Sequence, residues 1–166
     1  LREIYYRSEA VMKGGFEGER MGDRAAEIRE MLFERLTNWT ADAVDEHFKR
    51  GPASYWLYYS SDTLVRHARF VRQAPEAGRP LAIDTEIERE RDVTELTVYA
   101  ADHPGLFNKI AAAIAVCGAS IVDARIYTFN NGMALDSFWI QDATGHTIES
   151  QSGLSRIEER IEQSLA

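Results

Sequence analysis

Residues 98–129, "VYAADHPGLFNKIAAAIAVCGASIVDARIYTF", set two apolar runs on either side of a helical stretch. This order constrains the fold more than any other feature of the chain. The outer runs carry the β-branched and aromatic residues that suit a pleated, half-buried surface. Between them Leu106, Ile110, Ile114 and Cys117 recur on one helical face, and Gly118 is the expected C-terminal stop. A strand, a helix and a second strand are therefore predicted in succession.

The flanks extend the pattern. "DVTELTVYAAD" carries the first strand back to Asp92. "ASIVDARIYTFNNGMALDSFWIQDATG" reads as a hairpin turned by Asn130-Asn131-Gly132, residues that tolerate the positive φ of a tight turn. A last helix is expected at about 154–165, capped by Ser152 or Ser155. From Asp92 the order is β-α-β-β-α, a ferredoxin-like βαββαβ unit without its final strand. Its antiparallel sheet would carry the helices on one face. The run 79–88 is expected to form a hairpin with the first strand through a charged turn at 89–92, covering its open edge.

Upstream the period is helical. A helix is predicted over residues 1–12, then a charged, glycine-rich loop, "KGGFEGERMGDR". Asp23 would cap a helix from about Arg24 to Trp39, with Ile28, Met31, Leu32 and Leu36 at helical spacing. Thr40 opens a shorter one, ended by Gly51-Pro52. "SYWLYYSS" fits no single period. Ser61 or Asp62 caps a helix through Arg72, and Pro75 and Gly78 close this half. The chain is thus expected to be α+β: a helical segment over 1–78 and a sheet domain over 79–166, jointed at 75–80.

Charge narrows the partners. The 27 acidic residues exceed the 19 basic ones, giving a net charge of −8. A nucleic acid or an anionic membrane calls for a basic face. No apolar run is long enough to span a bilayer, so the default placement is cytoplasmic. Cys117 alone forms no internal disulfide. The chain opens at Leu1 on helix-like sequence, as a piece of a longer protein would.

The strand-to-helix corner Asp102-His103-Pro104-Gly105 has two readings. In the structural one Asp102 caps the helix, Pro104 fits its first turn and Gly105 allows a close packing approach. In the functional one the helix N-terminus suits a carboxylate and Asp102 suits an ammonium, so the corner suits a free amino acid. Asn108, in the same first turns, would address a side-chain amide.

"DHPGLFNKIAAAIAVCGASIVDARI" resembles the ACT domain, a βαββαβ regulatory module that often binds amino acids. "TFNNGMALDSFWIQDATG" narrows the resemblance to the first of two tandem ACT domains in the bifunctional PII uridylyltransferase/uridylyl-removing enzymes. "LREIYYRSEAV" and "SYWLYYSSDTLVRHARFVR" are similar to the stretch that precedes that domain. The resemblance implies a glutamine sensor. In that family high L-glutamine favours removal of UMP from the PII signalling protein, and low glutamine favours its addition. It also implies pairing with a second ACT domain, or self-association through the sheet. Its ligand site falls on Asp102, His103, Pro104, Gly105, Leu106, Phe107 and Asn108, with Asp123 on the next strand.

The family's catalytic signatures are not in this stretch. "GGFEGERMG" has no Asp-x-Asp metal pair after it, and Asp102-His103 reverses the HD dipeptide. His47, His67, His103 and His146 lack metal-ligand spacing. The segment is therefore expected to catalyse nothing and to hold no cofactor, while the whole enzyme would use Mg or Mn and UTP. His103 has no nucleophile near it in sequence, and Cys117 reads as a small core residue. Asp136, inside an apolar strand, reads as an edge residue or as a buried acid paired with Arg125 across the hairpin. Tyr55, Trp56, Tyr58 and Tyr59 read as core, or as a docking surface.

Overall fold

The structure, a computed structural model, describes residues 17–74 and 81–166. The helix predicted over 1–12 and the joint at 75–80 lie outside the described residues. The chain divides into two compact units after His67.

The first unit holds α1 (Glu17–Arg35), α2 (Ala41–Arg50), α3 (Ala53–Tyr58) and the start of α4 (Ser61–Gln73). Two expectations change here. Helix α1 begins seven residues before Arg24, so the second half of the supposed glycine-rich loop is helical. Gly18 and Gly22 each cost a helix about 1 kcal/mol, but the Glu, Arg, Met and Ala around them are strong helix formers. Helix α1 also stops at Arg35, because Trp39 lies in a turn whose N–H bonds to the Leu36 carbonyl. Thr40 caps α2 as expected, its Oγ1 accepting from Ala43 N at 3.2 Å.

"SYWLYYSS" resolves into the short α3 and its exit. Trp56 Nε1 donates to the carbonyls of Phe48 (3.1 Å) and Gly51 (3.0 Å). Its ring stacks on Phe48 and meets His47 edge-on. Tyr55, Trp56 and Tyr59 are buried, while Tyr58 is exposed. The hydroxyl of Tyr55 lies 2.9 Å from Nδ1 of His67. Burial, then the nearby charges of Arg50 and His67, pull His47 down to a pKa of about 4.

The second unit is the sheet domain: β1 (Leu81–Glu88), β2 (Val93–Ala101), α5 (Leu106–Val116), β3 (Ser120–Thr128), β4 (Met133–Gln141) and α6 (Gln151–Leu165). Its four strands run in the order β1-β2-β4-β3, all antiparallel. The stretch expected to cover the first strand does so: β1 pairs with β2 from Leu81↔Ala100 to Glu88↔Val93. It takes the place that the last strand holds in a βαββαβ unit, and the α+β, ferredoxin-like expectation stands. A 3₁₀ turn at Arg89–Arg91 and Asp92 at φ 53° reverse the chain between the two.

Helices α5 and α6 share one sheet face. Ile110 and Ile114 of α5 and Ile157 and Ile161 of α6 join Leu96, Val98, Phe138 and Ile140 in one buried cluster. Helix α5 ends as predicted, with Gly118 at φ 81° and the Ala119 N–H reaching back to Ile114 O. Helix α6 is capped by Ser150, neither Ser152 nor Ser155, through a 3.2 Å bond from Gly153 N. Asp92 also holds the segment after β4: its Oδ1 accepts from Thr147 N at 3.0 Å, and its Oδ2 lies 2.7 Å from His146 Nδ1.

Candidate functional site

The hairpin turn sets the geometry. Gly132 at φ 80° closes it, Phe129 N bonds to Met133 O, and Asn131 Nδ2 donates to the Tyr99 hydroxyl. The turn thereby fixes the β3–β4 register with Thr128 opposite Ala134 and Ile126 opposite Asp136. It also joins the corner, because Asp102 N donates to Gly132 O at 2.9 Å.

The corner is not capped as the sequence suggested. The N-cap of α5 is Gly105, at φ 86°, with no side-chain cap bond. Asp102 lies three residues too early to cap the helix. Its Oδ2 instead accepts a 2.9 Å bond from Thr128 Oγ1, at the end of β3. Pro104 correspondingly sits in the turn before the helix. The Leu106 N–H is taken by His103 O, and the Lys109 N–H by Gly105 O. The N–H groups of Phe107 and Asn108 lie in the first turn, where the helical ladder offers no acceptor. They lie at the positive end of the helix dipole.

Asp102, His103, Pro104, Gly105, Phe107 and Asn108 form one exposed ridge, and Leu106 turns into the core. His103 folds back on its own loop, with Nδ1 3.0 Å from Pro104 O. Phe107, 37% exposed, stacks over the buried Phe138 at 5.6 Å between ring centres. Asp123 does not join them. It pairs with Trp139 near the far end of β3, on the sheet face away from the helices, and its Oδ1 accepts from Ala124 N.

Two residues belong to the corner that sequence reading placed elsewhere or passed over. One is Thr128, which anchors Asp102. The other is Asp136. It is neither an edge residue nor paired with Arg125: Arg125 stands opposite Ser137, and alternation sends Arg125 and Asp136 to opposite faces. Asp136 sits on the central strand β4, 1% exposed, on the helix-bearing face between Ala134 and Phe138. Its Oδ1 is buried without a hydrogen-bond partner. Burial and the charge of Asp102 push its carboxyl up to about 7, against a smaller downward pull from the Tyr127 N–H. The turn register could have revealed this from sequence, since it aligns Asp136 with Ile126.

The corner thus offers an exposed carboxylate, two first-turn N–H donors and a buried carboxyl with one unpartnered oxygen. That set matches a small zwitterion bearing an additional N–H group. Among the described residues no group of three or more His, Cys, Asp or Glu is placed to hold a metal ion, and no helix is long and apolar enough to cross a membrane.

No family model matches the chain. It is 44% identical over 167 residues to a protein of Azospirillum brasilense named bifunctional uridylyltransferase/uridylyl-removing enzyme. Proteins of the same name from Gluconobacter oxydans and Rhodospirillum rubrum are 43% and 39% identical. The alignments cover 99–100% of this chain and 18% of each relative, so the chain spans under a fifth of the length of these curated relatives.

Proposed function

We propose that this chain is the glutamine-sensing segment of a bifunctional uridylyltransferase/uridylyl-removing enzyme, with 81–166 acting as an ACT-type regulatory domain. The parent enzyme would act on the PII signalling protein in the cytoplasm, with UTP and Mg or Mn at catalytic domains outside this chain. The similarity to enzymes of that name runs through both units and supports the parentage. The observation that carries the sensing role is the corner: Asp102 held by Thr128, beside the open first turn of α5 and the unpartnered Oδ1 of Asp136.

In this reading the ammonium of L-glutamine meets Asp102 and its α-carboxylate meets the N–H groups of Phe107 and Asn108. Binding alone regulates nothing. The ligand must prefer one arrangement of the enzyme, and full reversal of a two-state balance takes roughly 5.5 kcal/mol of preference. Charge-assisted hydrogen bonds at roughly 1.5–3 kcal/mol each are of the size required. Titration calorimetry of the chain with L-glutamine, with L-glutamate as control, tests the reading. Saturable heat from glutamine supports it; no heat from glutamine overturns sensing by this chain.

One observation favours a second reading, a domain-pairing scaffold. Strand β3 is a sheet edge, and Val122 and Ile126 on it are 53% and 50% exposed. An apolar edge invites a second sheet, from another ACT domain or a second copy. Concentration-dependent association that is abolished by Val122→Lys, without glutamine binding, would establish it.

A further inference from the structure

The amino-acid site proposed above has a residue that reads the ligand's side chain. Resting on that reading, we propose that Asp136 is the specificity residue of the corner: its carboxylate accepts the carboxamide N–H of L-glutamine and turns away the side-chain carboxylate of L-glutamate.

The case begins with what Asp136 lacks. Oδ1 is buried and unpartnered, and a buried polar atom without a partner is costly. The backbone N–H of Tyr127 donates to the carboxyl group, yet Oδ1 itself has no partner. Val98 and Ile126 are its cross-strand partners, and Ala134 and Phe138 flank it along the same face of β4. Arg125 is on the other side of the sheet. A missing donor must come from outside the fold.

The position is reachable from the corner. Asp136 and Asp102 are close enough for the charge of one to raise the proton affinity of the other. Ile126 stands opposite Asp136 on the edge strand, Phe107 stacks on Phe138 two residues along β4, and both are partly exposed. In the proposal the ligand's side chain displaces these two and enters between α5 and the edge of the sheet.

Chemistry then selects the group. A neutral carboxamide is far cheaper to bury than an ammonium, so the ammonium stays with the exposed Asp102. The carboxamide brings two N–H donors and no charge. Above about pH 7, where Asp136 is ionised, a glutamate carboxylate would bring a third negative charge beside two acids, with no donor for Oδ1. Asn108, which the sequence offered for the amide, is exposed and less suited to discriminate. Sites built to hydrogen-bond a ligand N–H reject analogues lacking it strongly, because their own buried groups are then left unpaired.

The test is the ratio of L-glutamine to L-glutamate affinity, measured by calorimetry on the chain and on Asp136→Asn. The wild-type chain is expected to prefer glutamine by on the order of 100-fold or more. In Asp136→Asn the amide can turn its NH₂ to a carboxylate and its oxygen to an amide, so the ratio should fall below about tenfold. Asp102→Asn should weaken both ligands and leave the ratio standing. A variant that binds glutamine with the ratio unchanged overturns the proposal for Asp136 and leaves glutamine sensing intact. Glutamine binding to neither the wild type nor the variants overturns both. A readout independent of any variant is the carboxyl ¹³C resonance of Asp136. Saturating glutamine should shift it, and a resonance unmoved by bound glutamine contradicts the role.

Discussion

Thr128 Oγ1 donates a 2.9 Å hydrogen bond to Oδ2 of Asp102, joining the last residue of β3 to the loop that opens α5. The bond spans 26 residues of sequence, and it frees Asp102 from the capping role its position suggests. A carboxylate committed to a cap would have its charge satisfied by the helix. One held from the side by a single hydroxyl keeps lone pairs for a ligand.

Removing that hydroxyl should loosen the ligand more than the fold. Thr128→Val keeps the β-branched shape of a strand residue. Glutamine affinity is expected to fall about fivefold, the equivalent of roughly 1 kcal/mol for one hydrogen bond. The melting temperature should hold nearly constant, since both groups are exposed. Calorimetry and thermal unfolding on the same sample check both parts.

Acid and base should act in opposite directions on two buried groups. Asp136 is raised from 3.8 to about 7, so between those values the folded chain keeps a proton that the unfolded chain has lost. Its contribution to stability is full below pH 3.8 and is lost as pH rises through about 7. His47 is lowered from 6.5 to about 4, so its contribution is full above pH 6.5 and is lost as pH falls towards 4. At about 1.4 kcal/mol per unit, each effect reaches a few kcal/mol. Asp136→Asn should therefore stabilise the chain above pH 7 and not at pH 4. His47→Phe, which keeps an aromatic ring between Trp39 and Trp56, should show its benefit only below pH 6.5. Thermal melts of the three proteins across pH 4–8 separate the two windows.

Gly51 should tolerate no side chain. A Cβ there would stand 2.8 Å from Nε1 of Trp56, the atom that bonds to the Gly51 carbonyl. Gly51→Ala must displace the indole and is expected to cost about 1–3 kcal/mol, as overpacking does. Denaturant unfolding gives the difference, and the emission of the displaced indole should shift with it.

The clasp between Asp92 and His146 should be visible by titration. The bond to His146 holds Asp92 below the ordinary carboxylate range, and the same pairing raises His146. Asp92→Asn tolerates the left-handed backbone found at this position while removing the charge. Proton NMR of the His146 ring should show its midpoint falling towards the ordinary histidine value.

The sheet domain was legible because its signals are local and redundant. Asn130-Asn131-Gly132 fixes a hairpin, Gly118 ends a helix, and the β-branched and aromatic residues along 93–101 mark a strand. Even the covering strand β1 followed from the open edge that β2 would otherwise present. The errors came where one residue type serves two purposes. An aspartate before Pro-Gly looks like a cap, but only the tertiary bond to Thr128 shows otherwise. Glycines in a charged stretch look like a loop, although strong helix formers outweigh them in α1. Asp136 was noticed as an anomaly, yet its face depends on register, and a shift of one residue reverses the answer. Asp123 was carried to the corner by family resemblance alone, and the structure sets it near the opposite end of β3.

The central claim is that glutamine binds at the corner between Asp102 and Asp136. The most direct measurement is a two-dimensional ¹H–¹⁵N NMR titration of the labelled chain with L-glutamine. The predicted result is a saturable set of shifts centred on Asp102–Asn108, Thr128 and Asp136, with α1 to α3 unmoved. Shifts centred elsewhere, or a spectrum that glutamine leaves unchanged, would contradict the account.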